Sequence, residues 1–215
     1  MSSWYDDLLV LMVSGAHGAE LVNDFSNLVS YTQQVLPPTA DVTKHFTNFA
    51  KYDPPHADLR GWVARMSTDL DLKMGVTSHA PPPPERLPWG RSIWNIIHMT
   101  SLWKNNHYFS TFINTLSKVL PCETCRVHMI QYMSDHPIGR TTDSFEWAHA
   151  FHTAVNLRLG NRNIDLEAAH AYYTALLGTP SLPVPVPEYQ PMGDHDWEAL
   201  LQSPCSGCSS PIKLR

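Results

Sequence analysis

Four cysteines occur in the 215 residues, and they fall into two Cys-x-x-Cys pairs, Cys122/Cys125 and Cys205/Cys208. Two thiols at that spacing can do two kinds of chemistry: they exchange a disulfide, or they supply half of a tetrahedral zinc site. No cysteine is left over to cross-brace distant segments, so the pattern is not that of a secreted disulfide scaffold. Pro121 stands directly before Cys122 and ends one helical stretch, which puts the first pair in the opening turn of the next. There the unpaired backbone amides and the positive end of the helix dipole favour thiolate over thiol. A zinc site would need its other ligands from the second pair, which lies beyond a proline-rich segment, whereas compact zinc sites draw ligands from short ordered loops. Redox exchange at Cys122/Cys125 is the stronger reading; a helical zinc-binding or scaffolding interaction protein, using both pairs as ligands, is the alternative.

The elements that position these residues read as helices throughout. Leu21, Phe25, Leu28, Thr32 and Val35 recur at three- and four-residue steps over residues 19–36, and Pro37-Pro38 stops the run. Val42, Phe46 and Phe49 form a short amphipathic stretch ended by Pro54-Pro55, and Leu59, Trp62, Val63, Met66 and Leu70 form a longer one. Four prolines at 81–84 cannot continue a helix and mark a domain boundary. Beyond it, Trp94, Ile97, His98 and Ser101 share a face, and so do Phe109, Phe112, Ile113, Leu116, Val119 and Leu120. A third helix covers 122–133, a fourth carries Ala148, Phe151, His152, Val155 and Leu159 up to Gly160, and a fifth starts from Asp165 as N-cap. Strand alternation is absent, which predicts an all-α fold built as a short-loop bundle. The expected organisation is an N-terminal helical region at 1–80, a catalytic domain at 81–178, and a proline-rich tail at 179–215 carrying the last Cys-x-x-Cys.

A thioredoxin-like setting needs strands, so a redox pair in a helical bundle needs another electron acceptor, for which a flavin is the obvious choice. Aromatic and histidine side chains are available to hold it. Trp94 and His98 are four apart, Cys125 and His128 three apart, and His149, His152 and Asn156 fall at three and four, so each set projects from one side of its helix. Any one of these taken alone is better read as core packing. Three helices pointing polar and aromatic groups to one place is something an apolar core would not need.

The runs W-G-R-S-I-W-N-I-I-H, P-C-E-T-C-R-V-H and W-A-H-A-F-H-T-A-V-N-L-R-L-G, in this order, resemble the Erv/ALR family of FAD-linked sulfhydryl oxidases, most nearly the forms carried by large DNA viruses. The resemblance covers roughly residues 86–178. It implies a four-helix bundle plus a short fifth helix enclosing FAD, and a thiol:oxygen oxidoreductase that forms disulfides in protein substrates. Electrons would pass from thiols through the Cys-x-x-Cys to FAD and then to molecular oxygen, giving hydrogen peroxide. Carried over by position, Cys125 is the flavin-proximal cysteine and Cys122 receives electrons from outside. Arg86, Trp89, Gly90, Arg91, Trp94, His98, His128, His149, His152, Val155, Asn156, Tyr172 and Tyr173 fall where the family contacts FAD, and a homodimer is implied. The chain departs from the family at Thr153, where an asparagine is usual, and at Asn161, where a lysine is usual. Losing that lysine removes a positive charge near the FAD phosphates, and Arg158 or Arg162 is the candidate replacement.

Cys205 and Cys208 read as a shuttle disulfide that takes electrons from substrate and passes them to Cys122; the plain alternative is a tail with an incidental disulfide. Residues 179–204 would span about 28 Å as a flexible coil and up to about 80 Å extended, enough to cross a small domain. A net charge of −5 with no run of Lys or Arg gives no reason to expect nucleic acid or an acidic lipid surface. The apolar run at 8–13 follows Asp6 and Asp7 and is too short for a secretory core or a membrane span. The expectation is therefore a protein with no signal, no membrane segment and no bound metal, working in the cytoplasm of an infected cell or in the virion if viral.

Overall fold

The computed structural model describes residues 3–37, 41–75, 89–103 and 106–176. They form helices α1 (Ser3–Gly18), α2 (Val22–Val35), α3 (Asp41–Tyr52), α4 (Leu59–Met74), α5 (Trp89–Trp103), α6 (Asn106–Val119), α7 (Glu123–Asp135), α8 (Ser144–Leu159) and α9 (Leu166–Leu176). No strand occurs among the described residues, and the fold is all-α as the sequence pattern predicts.

The helix ends are set locally. Asp58 opens α4 by accepting the Gly61 N–H at 2.9 Å. Asp143 opens α8 by accepting the N–H groups of Phe145 and Glu146 at 2.8 and 2.9 Å, which satisfies two of the donors a helix start leaves unpaired. Asp165 does the same for α9 through the Ala168 N–H at 2.8 Å. Gly160 closes α8 in the left-handed region, φ 73°, with the Asn161 N–H returning to the Asn156 carbonyl at 2.8 Å. A side chain there would be strained, which is why the α8 pattern stops at a glycine.

The short apolar run at 8–13 belongs to a full helix that the sequence pattern did not mark out. Leu8, Leu11 and Met12 are wholly buried, and Asp7, Val13 and Ser14 nearly so, because α1 packs against α2, α4, α5 and α6. A helix covered on several sides has no polar face, so its periodicity is weak. Each of those three side chains contributes roughly 1.5–3 kcal/mol by leaving water.

Three of the four pairings within the first four helices recur in the next four, the exception being α3 with α4. α1 packs with α2 and α4 as α5 packs with α6 and α8, and α2 with α3 as α6 with α7. The two groups meet along α1 on α5 and α6 and along α2 on α6, while α9 lies over α5 and α8. One continuous apolar core runs through both, from Leu8, Phe25 and Trp62 to Ile96, Phe112 and Phe151. At the joint, the Asn95 side-chain amide donates to the buried carboxylate of Asp7 at 3.1 Å.

Candidate active site

α6 ends where Pro121 cannot supply an N–H to extend it. Cys122 follows in extended geometry, φ −105° and ψ 110°, as the N-cap of α7. Its Sγ accepts the Cys125 N–H at 3.2 Å, and the Arg126 N–H closes the first turn on the Cys122 carbonyl at 3.0 Å. The sequence placed Cys122 inside the helix; it caps it instead, so its sulfur sits where backbone donors and the helix dipole stabilise negative charge. Cys122 and Cys125 are joined by a disulfide, with Cα atoms 5.2 Å apart, and both are half-buried.

The expected ring system assembles from α5, α8 and α9. Trp94 stacks on His152 with centroids 4.0 Å apart and planes 8° from parallel. His98 stacks on Tyr173 at 4.2 Å, and Tyr173 meets Tyr172 edge-on at 5.0 Å. The Nε2 of His98 and the Nδ1 of His152 are 3.0 Å apart, and the Nε2 of His149 donates to the Ile164 carbonyl at 2.9 Å. α7 and α8 run antiparallel: Tyr132 lies against Trp147 and Phe151, and His128 feels the charge of Arg158. This register puts the amino end of α7, with the cysteines, beside the carboxyl end of α8.

Burial decides the charge of these rings. It holds His98 well below the ordinary histidine value, with His152 and His149 adding to the shift. It pushes His152 down to about 4, with a smaller contribution from His149. His128 is lowered by burial and then by the Arg158 charge. The 3.0 Å contact needs one ring to donate and the other to accept, so at most one of them carries a positive charge, and burial favours the pair with neither.

Two buried ring nitrogens, Nδ1 of His98 and Nδ1 of His128, find no hydrogen-bond partner among the described residues. A buried polar atom left unpaired is costly, so this site is short of polar groups that a ligand can bring. A flat aromatic ligand with a polar edge fits such a set: aromatic faces for its rings, neutral imidazoles for its heteroatoms, and Arg158 and Arg162 near the end of α8 for anionic groups.

Trp94, His98, His149, His152, Tyr172 and Tyr173 are thus brought together. His128 lies on the neighbouring helix. Asn156 points its amide at the Arg162 carbonyl, 3.5 Å away. Val155 and Trp89 pack on the core, Gly90 is buried, and Arg91 is exposed in the first turn of α5. Arg86, Cys205 and Cys208 lie outside the described residues. Phe145, Phe151 and Tyr132 complete the ring system; the helical pattern includes Phe151 and does not single out Phe145 or Tyr132. Their register gave the signal: Phe145 precedes His149 and His152 by four and seven, and Tyr132 follows His128 and Cys125 by four and seven. An open hollow between Ser101, Asn106, Ser144 and His170 lies at the opposite end of α8, and none of the expected site residues lines it.

Residues 91–174 match the Erv1/Alr family. A protein of Invertebrate iridescent virus 3 named as an FAD-linked sulfhydryl oxidase, 096R, is 25% identical over 96 residues, which cover 40% of this chain and 65% of that protein. The match thus spans less than two thirds of the length of this relative. No solved structure matches the chain.

Proposed function

We propose, on the premise that residues 91–174 are an Erv1/Alr-family segment, that this chain is an FAD-dependent sulfhydryl oxidase acting on protein thiols. The observation that carries the reading is a Cys122–Cys125 disulfide capping α7 on the helix that packs its Tyr132 into the α8 ring system. Bonded sulfurs offer no thiolate to zinc, and they are the form that accepts electrons. By resemblance, FAD supplies a two-electron acceptor that passes electrons on to molecular oxygen, giving hydrogen peroxide.

Each residue then has a task. A substrate thiolate attacks Cys122 Sγ; the Cys122–Cys125 bond breaks, and Cys125 leaves as thiolate with the bonding electron pair. A second substrate thiolate attacks the substrate sulfur of the mixed disulfide, forming the substrate disulfide and releasing Cys122 as thiolate. Two electrons have moved from substrate to enzyme, and the protons of the two thiols go to solvent. The helix start favours both leaving thiolates. Trp94, His98, His149, His152, Tyr172 and Tyr173, with His128 and Asn156, would hold the FAD rings. Arg91, Arg158 and Arg162 would hold its phosphates. Val155, Trp89 and Gly90 would shape the wall, and Arg86, outside the described residues, is assigned to the set by resemblance alone. Cys205 and Cys208 would relay electrons from substrate to Cys122.

Residues 81–178 would be the oxidase and 179–215 the relay, with the described helices of 1–80 packed against the oxidase. No helix among the described residues is long and apolar enough to cross a membrane. The viral relative supports work in an infected cell or virion. α1 and α2 of the same chain cover parts of α5 and α6, so a homodimer contact would use another surface.

The purified protein should be yellow, with flavin absorbance in the visible. C125S should keep the colour, while dithiothreitol no longer bleaches it anaerobically. Ordinary turnover by C125S, or a colourless protein that takes up no FAD, rejects the reading.

A further inference from the structure

Arg126 follows the redox pair directly, and its side chain faces the N-terminal region. One of its terminal nitrogens, Nη1, donates to the Leu120 carbonyl at 2.9 Å and to the Gly18 carbonyl at 3.3 Å. The other, Nη2, reaches the Glu20 carboxylate at 3.4 Å. Gly18 is the last residue of α1, and Leu120 follows the last residue of α6. The guanidinium therefore sits at the negative ends of two helices, on carbonyls that those helices leave unpaired. A planar fork with several donors can bridge two such carbonyls; an ammonium on a flexible stem cannot hold both in one geometry. The side chain is only 19% exposed, while Glu20 is 79% exposed. The ion pair with Glu20 is therefore worth little, and the carbonyl bridge dominates.

The seat is tight. A methyl group added at Gly18 would overlap the Val119 carbonyl oxygen and lie 2.7 Å from the Leu120 oxygen. α1 thus ends in direct backbone contact with the segment leading into Cys122. Leu120 is held by Arg126, Arg126 by the first turn of α7 through its own N–H on Cys122, and that turn places the Cys125 N–H on the Cys122 sulfur.

We propose that Arg126 is a positioning residue for the Cys122–Cys125 pair, and that the carboxyl end of α1 is a working part of the redox centre. The inference rests on the redox role given above to these cysteines. By fixing Leu120 and Cys122, and by adding a cation at the amino end of α7, Arg126 stabilises the reduced pair as thiolate. It thereby makes the disulfide a better oxidant.

The test uses full-length protein equilibrated with graded mixtures of reduced and oxidised glutathione. Two reduced glutathiones convert the disulfide to the dithiol and leave as glutathione disulfide. The fraction reduced is read on the Cys122–Cys125 peptide by alkylation and mass spectrometry, which keeps Cys205 and Cys208 out of the signal. R126M should shift the equilibrium about tenfold toward the disulfide, about 30 mV for a two-electron couple. R126K should recover less than half of that shift on a logarithmic scale, because it returns the charge without the bridge. G18A, which leaves the Arg126 charge in place and acts through the backbone contact of α1 with Val119 and Leu120, should shift it the same way by about threefold. An R126M equilibrium within twofold of the parent, or an R126K equilibrium equal to the parent's, overturns the proposal. If R126M fails to give the parent's circular dichroism spectrum, R126K and G18A decide by the same thresholds. The readout needs no flavin: a colourless, inactive parent would reject the oxidase reading, whereas a yellow, active parent with unshifted variants would reject only this one.

Discussion

In α1–α4 the interior closes on itself around Trp62, whose indole N–H donates to the Asp53 carbonyl at 2.6 Å and whose faces meet Phe25 and Phe49 edge-on. In α5–α9 it closes around His98, which has one ring nitrogen on His152 and the other on nothing among the described residues. The first group keeps its histidines at the periphery, with His17 and His56 exposed. Its buried hydroxyls without partners, on Ser14, Thr32 and Thr43, stand on helices where a small rotation reaches the carbonyl one turn back. The second group buries titratable rings that no such rotation satisfies. Two groups that share most of their helix pairings differ in what they bury, an apolar core and hydroxyls in the first against stacked imidazole and aromatic rings in the second, and the second is the proposed site.

The largest expected effect breaks the scaffold. Trp62→Ala should cost about 3–5 kcal/mol, and because one core joins both groups the whole chain should unfold in a single, earlier urea transition. Circular dichroism and tryptophan fluorescence should report the same midpoint. A second transition that stays at the parent's position would mean that the halves fold independently.

The site's charge state gives the next effect. His152 has its folded value depressed to about 4, below the unfolded value near 6.5. Its contribution is therefore fully present above about pH 6.5 and is lost as pH falls toward 4. That shift corresponds to roughly 3 kcal/mol, and His98 acts in the same direction. Urea midpoints at pH 7 and pH 4.5 should show the fall, and H152Q should show a smaller one. An equally steep fall in H152Q would place the acid sensitivity elsewhere, among the carboxylates of either group.

Much of this comparison was legible in sequence because its signals are local. Phe25, Leu28 and Val35 on α2 and Trp62, Met66 and Leu70 on α4 are buried as their spacing predicts, and the Trp94, His98, His152 and Tyr173 rings meet as their helical register requires. The family resemblance held over the segment that carries it. What sequence could not give is whatever depends on contacts between distant segments. α1 lacks a polar face because four helices cover it, so periodicity had nothing to detect. Arg126 reads as a solvated charge until Gly18, more than one hundred residues earlier, is seen to lie under it. Phe145 and Tyr132 share a register with the site histidines, but register alone does not separate packing against a neighbour from packing against a ligand, which leave the same apolar mark.

The joint between the two groups should respond next. Asn95→Ala removes the side-chain donor at 3.1 Å from the buried Asp7 carboxylate and should cost about 2 kcal/mol, the range for a hydrogen bond to a charged group. It should do so without changing flavin absorbance, because Asn95 lies toward α1 while Trp94 and His98 face α8. A spectral shift as large as that from a substitution at His98 would instead mean that the joint and the site are one unit.

The smallest effects come from the helix starts, and they sharpen the contrast because similar devices serve different ends. Asp58 accepts one backbone N–H at the start of α4, and Asp143 accepts two at the start of α8. Removal of either should cost about 0.5–2 kcal/mol, with Asp143→Ala the larger. The loss at Asp58 should appear only in stability, since α4 carries no ring of the site. The loss at Asp143 should also loosen Phe145, which packs on His98 and Tyr173, so FAD affinity should fall about two- to threefold in a flavin titration. If both variants leave FAD affinity unchanged, the amino end of α8 is scaffold like α4, and the site is confined to the end nearer the cysteines.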